Sequence, residues 1–391
     1  MGSSFLKFLF LTTFTCLLVN PPVTGQFLET FDSSPSTEWR TPTGDGEAES
    51  DLLFENGSAT FVVDATNDRR NIWWAIMQTT VSEQLDLEQL ADPSYELRIE
   101  ARVRTSHAPR RINLHLNTQR TTDFHSHLVE FDLPDTTKWH TVSMTTSGFD
   151  GRPGDTVNGH IALMDWGNEI YRLEVEYFRV DIVNTDEAEP DHGEQVVYPP
   201  PEPEPDQFEH TVPVADAGMI DRQFPGINMS GWRFGNRSVL TTDATKMILM
   251  RWELDEYKDK NVSGYGMLEL TPFHTAKTVG ADIPEYDQVR LVEVLGGDSS
   301  WNRDEVTFDS FTHGQPLNRV LNPQMIIDID LPETMDQPVQ IHIPRPVLQR
   351  MVEGKTKGIA LYPLGPLHAS FYFENRQDGK HQPRLYFNTE H

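Results

Sequence analysis

One short run divides this chain: Pro199-Pro200-Pro201-Glu202-Pro203-Glu204-Pro205. Successive prolines hold the backbone extended and remove its donors, and the carboxylates between them repel. The wider stretch from Asp186 to His210 contains no Lys or Arg. Little of it can be buried, so residues 186–210 are expected to form a stiff, solvated spacer. The chain then has two folding units, residues 26–185 and 211–391, each long enough to bury its own core.

Both units read as strands. Short runs rich in Val, Ile, Phe, Tyr and Thr are broken by Gly, Pro, Asn and Asp. From Tyr95 to Arg104 the pattern alternates, with Leu97, Ile99, Ala101 and Val103 on one face. Trp139 to Thr145 and Arg172 to Val183 continue it. Phe27 to Asp32 and Glu174 to Asp181 are expected to pair as terminal strands. In the second unit, strand-like stretches cover 247–254, 266–270, 301–308, 371–377 and 383–387. One modest helix is expected, from Pro346 to Glu353. The expected class is all-β: two β-sandwich or jelly-roll domains joined by an acidic, Pro-rich linker.

The first residues set the expected compartment. Lys7 precedes an apolar run from Phe8 to Val19, Pro21 and Pro22 break it, and small residues lead to Gly25. Residues 1–25 therefore read as a secretory signal peptide, and the protein as secreted, extracellular or periplasmic. The run is too short for a membrane span, and no later segment supplies one. Cys16, the only cysteine, lies inside this leader, so the remaining chain has no disulfide. Its domains must rest on their cores, or on core plus a metal ion. The net charge of −28 argues against nucleic acid or an anionic membrane as main partner. It leaves room for calcium.

The most informative stretch runs from Arg110 to Asp132, RRINLHLNTQRTTDFHSHLVEFD. On a strand, Ile112, Leu114 and Leu116 point to the core, and Arg111, Asn113, His115 and Asn117 share the other face. Phe124 to Asp132 is expected to return antiparallel, with His125 and His127 on one face. The result would be an open trough of imidazole, amide and guanidinium groups, chemistry that hydrogen-bonds sugar hydroxyls and carboxylates. Trp73 and Trp74 are candidates for stacking on a pyranose, against the alternative of core packing. A second reading makes the same unit a polysaccharide lyase. Asn113, Asn117 or Arg120 would neutralise a uronate carboxylate, and His115, His125 or Tyr171 would move protons. No nucleophile-elbow pattern and no His-Glu-x-x-His motif is present. Sixty acidic residues leave a glycosidase acid pair unassignable. A purely structural matrix protein is a third reading, opposed by the histidine-asparagine strand. Asn56, Asn228, Asn236 and Asn261 each begin an Asn-x-Ser sequon.

In the second unit Asp216 comes first, then Gly235-Asn236 and a strand ending in Arg251-Trp252. Trp301 follows, with Glu305-Val306-Thr307 downstream, a short helix closing on Gly354, and Arg376 before Pro383-Arg384-Leu385. In that order the residues resemble the DNRLRE-type domain, a β-sandwich of secreted bacterial proteins and polysaccharide-degrading enzymes. The resemblance covers 211–391 and departs from the pattern at Phe308 and Gln377. It implies acidic-polysaccharide binding, with Arg233, Arg237, Lys246, Arg251 and Arg376 as contacts. Internal ion pairing of Arg251 and Arg376 is the open alternative. The first unit is similar in architecture to galactose-binding-like jelly-roll carbohydrate-binding modules. That likeness implies a structural Ca2+ joining the terminal strands, with Glu29, Asp51 and Glu176 as ligands. The favoured reading is a protein that binds an extracellular, acidic polysaccharide at two linked sites.

Overall fold

The computed structural model describes residues 25–390 apart from 33, 44–47, 68–74, 165–168, 198–199, 231–238, 278–287, 323–326, 333 and 374–380. The fold is all-β, in several antiparallel sheets with a few short helices.

The first sandwich packs two sheets face to face. The six-stranded sheet has β3 (Glu49–Glu55), β4 (Ser58–Asp64), β11 (Ile170–Asn184), β6 (Tyr95–Thr105) and β9 (His140–Thr145), with β1 (Gln26–Glu29) also on β11. The terminal pairing expected from sequence is present, Gln26 opposite Asp181 and Glu29 opposite Phe178. The five-stranded sheet runs β2 (Trp39–Arg40), β5 (Ala75–Thr80), β10 (Val157–Leu163), β7 (Arg110–Thr118) and β8 (Leu128–Leu133). Alternation decides the core: Leu97, Ile99, Ala101 and Val103 of one sheet meet Ile112, Leu114, Leu116 and Ile161 of the other, all fully buried. Gly159 of β10 has no side chain because the Phe178 ring stands 2.7 Å from where its Cβ would be.

The second sandwich sets β12 (His210–Pro213), β23 (Arg384–Thr389), β16 (Val262–Leu270) and β20 (Val339–Ile343) against a five-stranded sheet. That sheet runs β13 (Asp216–Asp221), β15 (Lys246–Arg251), β21 (Ile359–Pro363), β18 (Gln288–Glu293) and β19 (Ile327–Asp330). Three further strands, β14 (Val239–Thr242), β22 (Leu367–Tyr372) and β17 (Pro272–Lys277), form a small sheet alongside. The expected helix is α3 (Arg345–Val352), whose Val347, Leu348 and Met351 enter the core. A second apolar cluster covers the outward face of the five-stranded sheet. There Met247, Leu249, Val292 and Ala360 lie under Trp301, Val306, Phe311 and Val320.

Residues 301–308 are not the strand their composition suggests. Residues 303–305 form a turn, and Thr307 then caps α1 (Phe308–Thr312) by accepting from Ser310 N. α2 (Leu317–Val320) follows. Gly218 lets this layer sit close, since the Val306 side chain is 2.7 Å from the position of its missing Cβ.

The segment 186–210 is mostly exposed, as expected of a solvated spacer, but it is tied to the sandwiches by hydrogen bonds. Arg98, buried on β6, donates to the carbonyls of Glu189 and Pro190. Asp191 accepts from Thr145 N and Oγ1, each at 2.9 Å. Gln195 bridges Phe131, and Val196 N donates to Glu130 O. Farther along, Gln207 bonds Asn388 and Tyr265 of the second sandwich. A buried arginine needs acceptors, and the linker backbone supplies them. The two sandwiches also touch: Lys355 Nζ lies 3.9 Å from Glu169, which His107 Nε2 approaches at 3.3 Å.

Candidate functional site

Strand register assembles one polar face. On the outward side of the first sandwich's five-stranded sheet, Arg40 stands opposite Gln78, Gln78 opposite His160, His160 opposite His115, and His115 opposite Leu128. The next row is Thr80, Asn158 and Asn117. Thr80 Oγ1 donates to Asn158 Oδ1 at 3.1 Å, and Asn158 Nδ2 to Asn117 Oδ1 at 3.3 Å. A cavity of about 320 Å3 opens beside these rows, lined by Thr37, Glu38, Arg40, Gln78, Thr80 and Asn158 among others.

The trough is less open than the sequence suggests. Every residue of β7 is buried, Arg111, Asn113, His115 and Asn117 included. Asn113 Nδ2 lies 3.4 Å from Met164 Sδ, and the Phe124 ring meets His115 edge-on at 6.1 Å. Arg111 is internally held, with Asp132 taking two of its donors and Glu130 3.2 Å away.

The two histidines are different. Their rings stack at 4.9 Å between centroids, 29° apart. His115 Nε2 and both nitrogens of His160 are buried without a hydrogen-bond partner among the described residues. Leaving such a group unmet costs roughly 1–3 kcal/mol. Burial pushes His115 down to about 4, aided by His127 and His125, and His160 down to about 3, aided by His115. Both are neutral near pH 7, each offering one donor and one acceptor. His160 is a residue that the sequence reading does not single out. Its register opposite His115 is a long-range pairing, although the alternation Asn158, His160, Ala162 on β10 is a signal that could have flagged it.

The remaining expected residues do not join this site. His125 and His127 lie in the turn at 124–127, before β8 starts at Leu128, so they share no strand face. His125 is exposed, and His127 packs on Phe149. Arg120 at the hairpin end is clamped by Asp150 at 2.9 Å and Asp155 at 2.6 Å. Tyr171, buried on β11, lies under the Arg110 guanidinium at 3.7 Å. The lyase quartet His115, His125, Arg120 and Tyr171 is therefore scattered over separate elements.

Nor do the calcium candidates converge. Glu29 sits at the level of Phe178 on β11, whereas Asp51, through Val62 of β4, sits at that of Arg172. At about 3.3 Å per residue the two levels are roughly 20 Å apart. Glu29 accepts from Ser36 N and Oγ, and Glu176 pairs with Arg102 at 2.7 Å. Among the described residues no group of three or more His, Cys, Asp or Glu could hold a metal ion.

In the second sandwich, Arg251 lies 2.7 Å from Glu253 and 3.7 Å from Asp216, with Trp301 under its guanidinium. Asp216 also accepts from Arg303 N. The resemblance residues Asp216, Arg251 and Trp301 thus meet as one structural cluster, the internal alternative for Arg251. Lys246 pairs with Asp243 at 2.5 Å. Trp73, Trp74, Arg233, Arg237 and Arg376 lie outside the described residues.

No protein-family model and no curated protein matches the chain. The DNRLRE resemblance therefore stands on its residues alone. Among solved structures, the family 11 carbohydrate-binding module of the cellulosomal cellulase Lic26A-Cel5E of Clostridium thermocellum aligns at 12% identity and a TM-score of 0.27. The alignment covers 41% of this chain and 96% of that one. The N-terminal tandem of two family 22 carbohydrate-binding modules from Paenibacillus barcinonensis Xyn10C aligns at 10% identity and a TM-score of 0.28, covering 94% and 98%. No helix among the described residues is long and apolar enough to cross a membrane.

Proposed function

We propose that this protein binds a polysaccharide outside the cytoplasm, through the outward face of the five-stranded sheet of its first sandwich. The observation that carries this reading is the polar row that Gln78, Thr80 and Asn158 present to an open cavity, backed by the stacked His115–His160 pair, whose buried ring nitrogens lack partners among the described residues. A saccharide hydroxyl both donates and accepts, so one hydroxyl can serve an imidazole in either role. Gln78, Asn117, Asn158 and Thr80 extend the same chemistry across the strands.

Charge class follows from the arginines. Arg40 at the cavity, Arg111, Arg120 and Arg251 each have a carboxylate partner, so imidazole and amide are the groups on this face without one. Those suit a hydroxyl-rich, neutral stretch better than uronate or sulfate, which call for a free guanidinium fork. An acidic polymer is the competing outcome.

Affinity gel electrophoresis of the full chain with β-glucans, xylan, alginate and sulfated glycans tests this. Retention by a neutral polymer is expected, weakened roughly tenfold in His160→Ala, the loss of one or two such hydrogen bonds. Equal retention of wild type and His160→Ala would remove this face as the site. Preference for alginate or a sulfated glycan would restore the acidic reading.

A further inference from the structure

We propose that the second sandwich carries a separate site, a cavity of about 510 Å3 that takes a small amphipathic carboxylate, its hydrocarbon body against Met247, Val292 and Tyr362 and its acid group at Arg222. The cavity exists because a covering layer stops short. The segment bearing α1 and α2 roofs the outward face of the five-stranded sheet with Trp301, Val306, Phe311 and Val320. At Leu317 and Leu321 the roof ends, and these two side chains become one wall of the opening. Arg222 and the turn at Asp243–Thr245 line it as well. The volume lies in the range of small-molecule sites, roughly 300–1,000 Å3.

Two features select the ligand class. Most of the lining surface is apolar, from Met247, Val292, Leu317, Leu321 and Pro363, with Asn318 and Asn322 between, and Tyr362 is its single aromatic ring, so hydrocarbon fits better than the flat stacking a sugar ring requires. The two arginines of the lining and the neighbouring Lys246 differ in how they are held. Arg290 gives two donors to Asp328, both at 2.7 Å, and Lys246 is held by Asp243 and lies 3.9 Å from Asp221. Arg222 is exposed and gives Nη2 to the Ala244 carbonyl at 2.6 Å. No carboxylate lies within ion-pairing distance of it among the described residues. In a chain with 60 acidic and 32 basic residues, an arginine so placed takes its carboxylate from solution.

This site does not rest on the saccharide reading, and its test is independent. The full chain, labelled at methionine methyl groups, is titrated with octanoate and 4-phenylbutyrate, and with octanol and 4-phenylbutanol as uncharged controls. The Met247 methyl signal is expected to move saturably with the acids, and only at roughly tenfold higher concentration with the alcohols. Arg222→Ala, an exposed change that leaves the core alone, should bring the acids down to the level of the alcohols. Leu317→Trp should fill the opening and abolish both responses. Failure of both acids to move the Met247 signal at millimolar concentration, or an unchanged response to acids in Arg222→Ala, would overturn the proposal.

Discussion

The two sandwiches each contain a five-stranded antiparallel sheet, and they treat its outward face in opposite ways. In the second, Met247, Leu249, Val292, Val294 and Ala360 are apolar and lie under the chain's own Trp301, Val306 and Phe311. In the first, Gln78, Asn117, Asn158, His115 and His160 are polar, and three buried ring nitrogens go unmet among the described residues. One face is covered by the chain's own apolar layer as far as Leu317 and Leu321, and the other carries polar side chains with hydrogen-bonding atoms left unmet among the described residues. The sharpest way to break this contrast is Trp301→Ala. Trp301 is 3% exposed, and its loss should cost about 3–5 kcal/mol in the second sandwich alone. Denaturant unfolding followed by domain-specific NMR signals should show one transition moving and the other fixed. Equal movement of both would mean that the sandwiches unfold as one unit and that the contrast has no energetic meaning.

A smaller effect should come from pH. His115 and His160 titrate at 6.5 when unfolded and at about 4 and about 3 when folded. Their folded pKa values are depressed, so the unfolded chain binds more protons between those limits, and stability falls as pH drops below 6.5. A tenfold difference in proton affinity between the two states is worth about 1.4 kcal/mol, so the loss by pH 4 is on the order of a few kcal/mol. His342 on β20 is also pushed down to about 4, by burial and then by Arg111, so acid alone does not isolate the first sandwich. The double variant His115→Gln/His160→Gln does. Its first transition should lose much of the slope between pH 4 and 6.5, and an unchanged slope would show that other groups carry it.

The sequence made the inner faces legible and the covers illegible. Alternation placed Leu97, Ile99, Ala101, Val103, Ile112, Leu114 and Leu116 in the core, because a period of two is a local property of strands. It also put Arg111, Asn113, His115 and Asn117 on the outward side of β7. What it could not show is what lies over that side, which depends on Phe124, Met164 and the acidic partners on β8. Residues 301–308 misled for a related reason. Their aromatic and β-branched content serves a covering layer, and only the Thr307–Ser310 capping pair announced a helix start. The linker misled most. Composition says that its side chains bury little, but besides the Asp191 carboxylate its docking runs through the carbonyls of Glu189, Pro190 and His192, and composition says nothing about those.

That docking sharpens the comparison, since the first sandwich has a covering layer too, on its other sheet. The linker runs along Arg98, Ser143 and Thr145 of the six-stranded sheet, held largely by hydrogen bonds, with Gly193 packed close on Phe131 and Val142. A polar cover should be worth less than a hydrophobic one, because each net hydrogen bond gives only about 1 kcal/mol. Asp191→Ala removes the bonds from Thr145 N, Thr145 Oγ1 and Ser143 Oγ. It should cost about 1–2 kcal/mol, the smallest of the three effects. Ser143 N–H donates to His192 O, so its hydrogen exchange reports on the cover directly. Exchange at Ser143 should speed up in Asp191→Ala while core amides such as that of Leu114 keep their protection. If Leu114 loses protection to the same degree, the linker is an integral strand of the first sandwich rather than a cover laid on it.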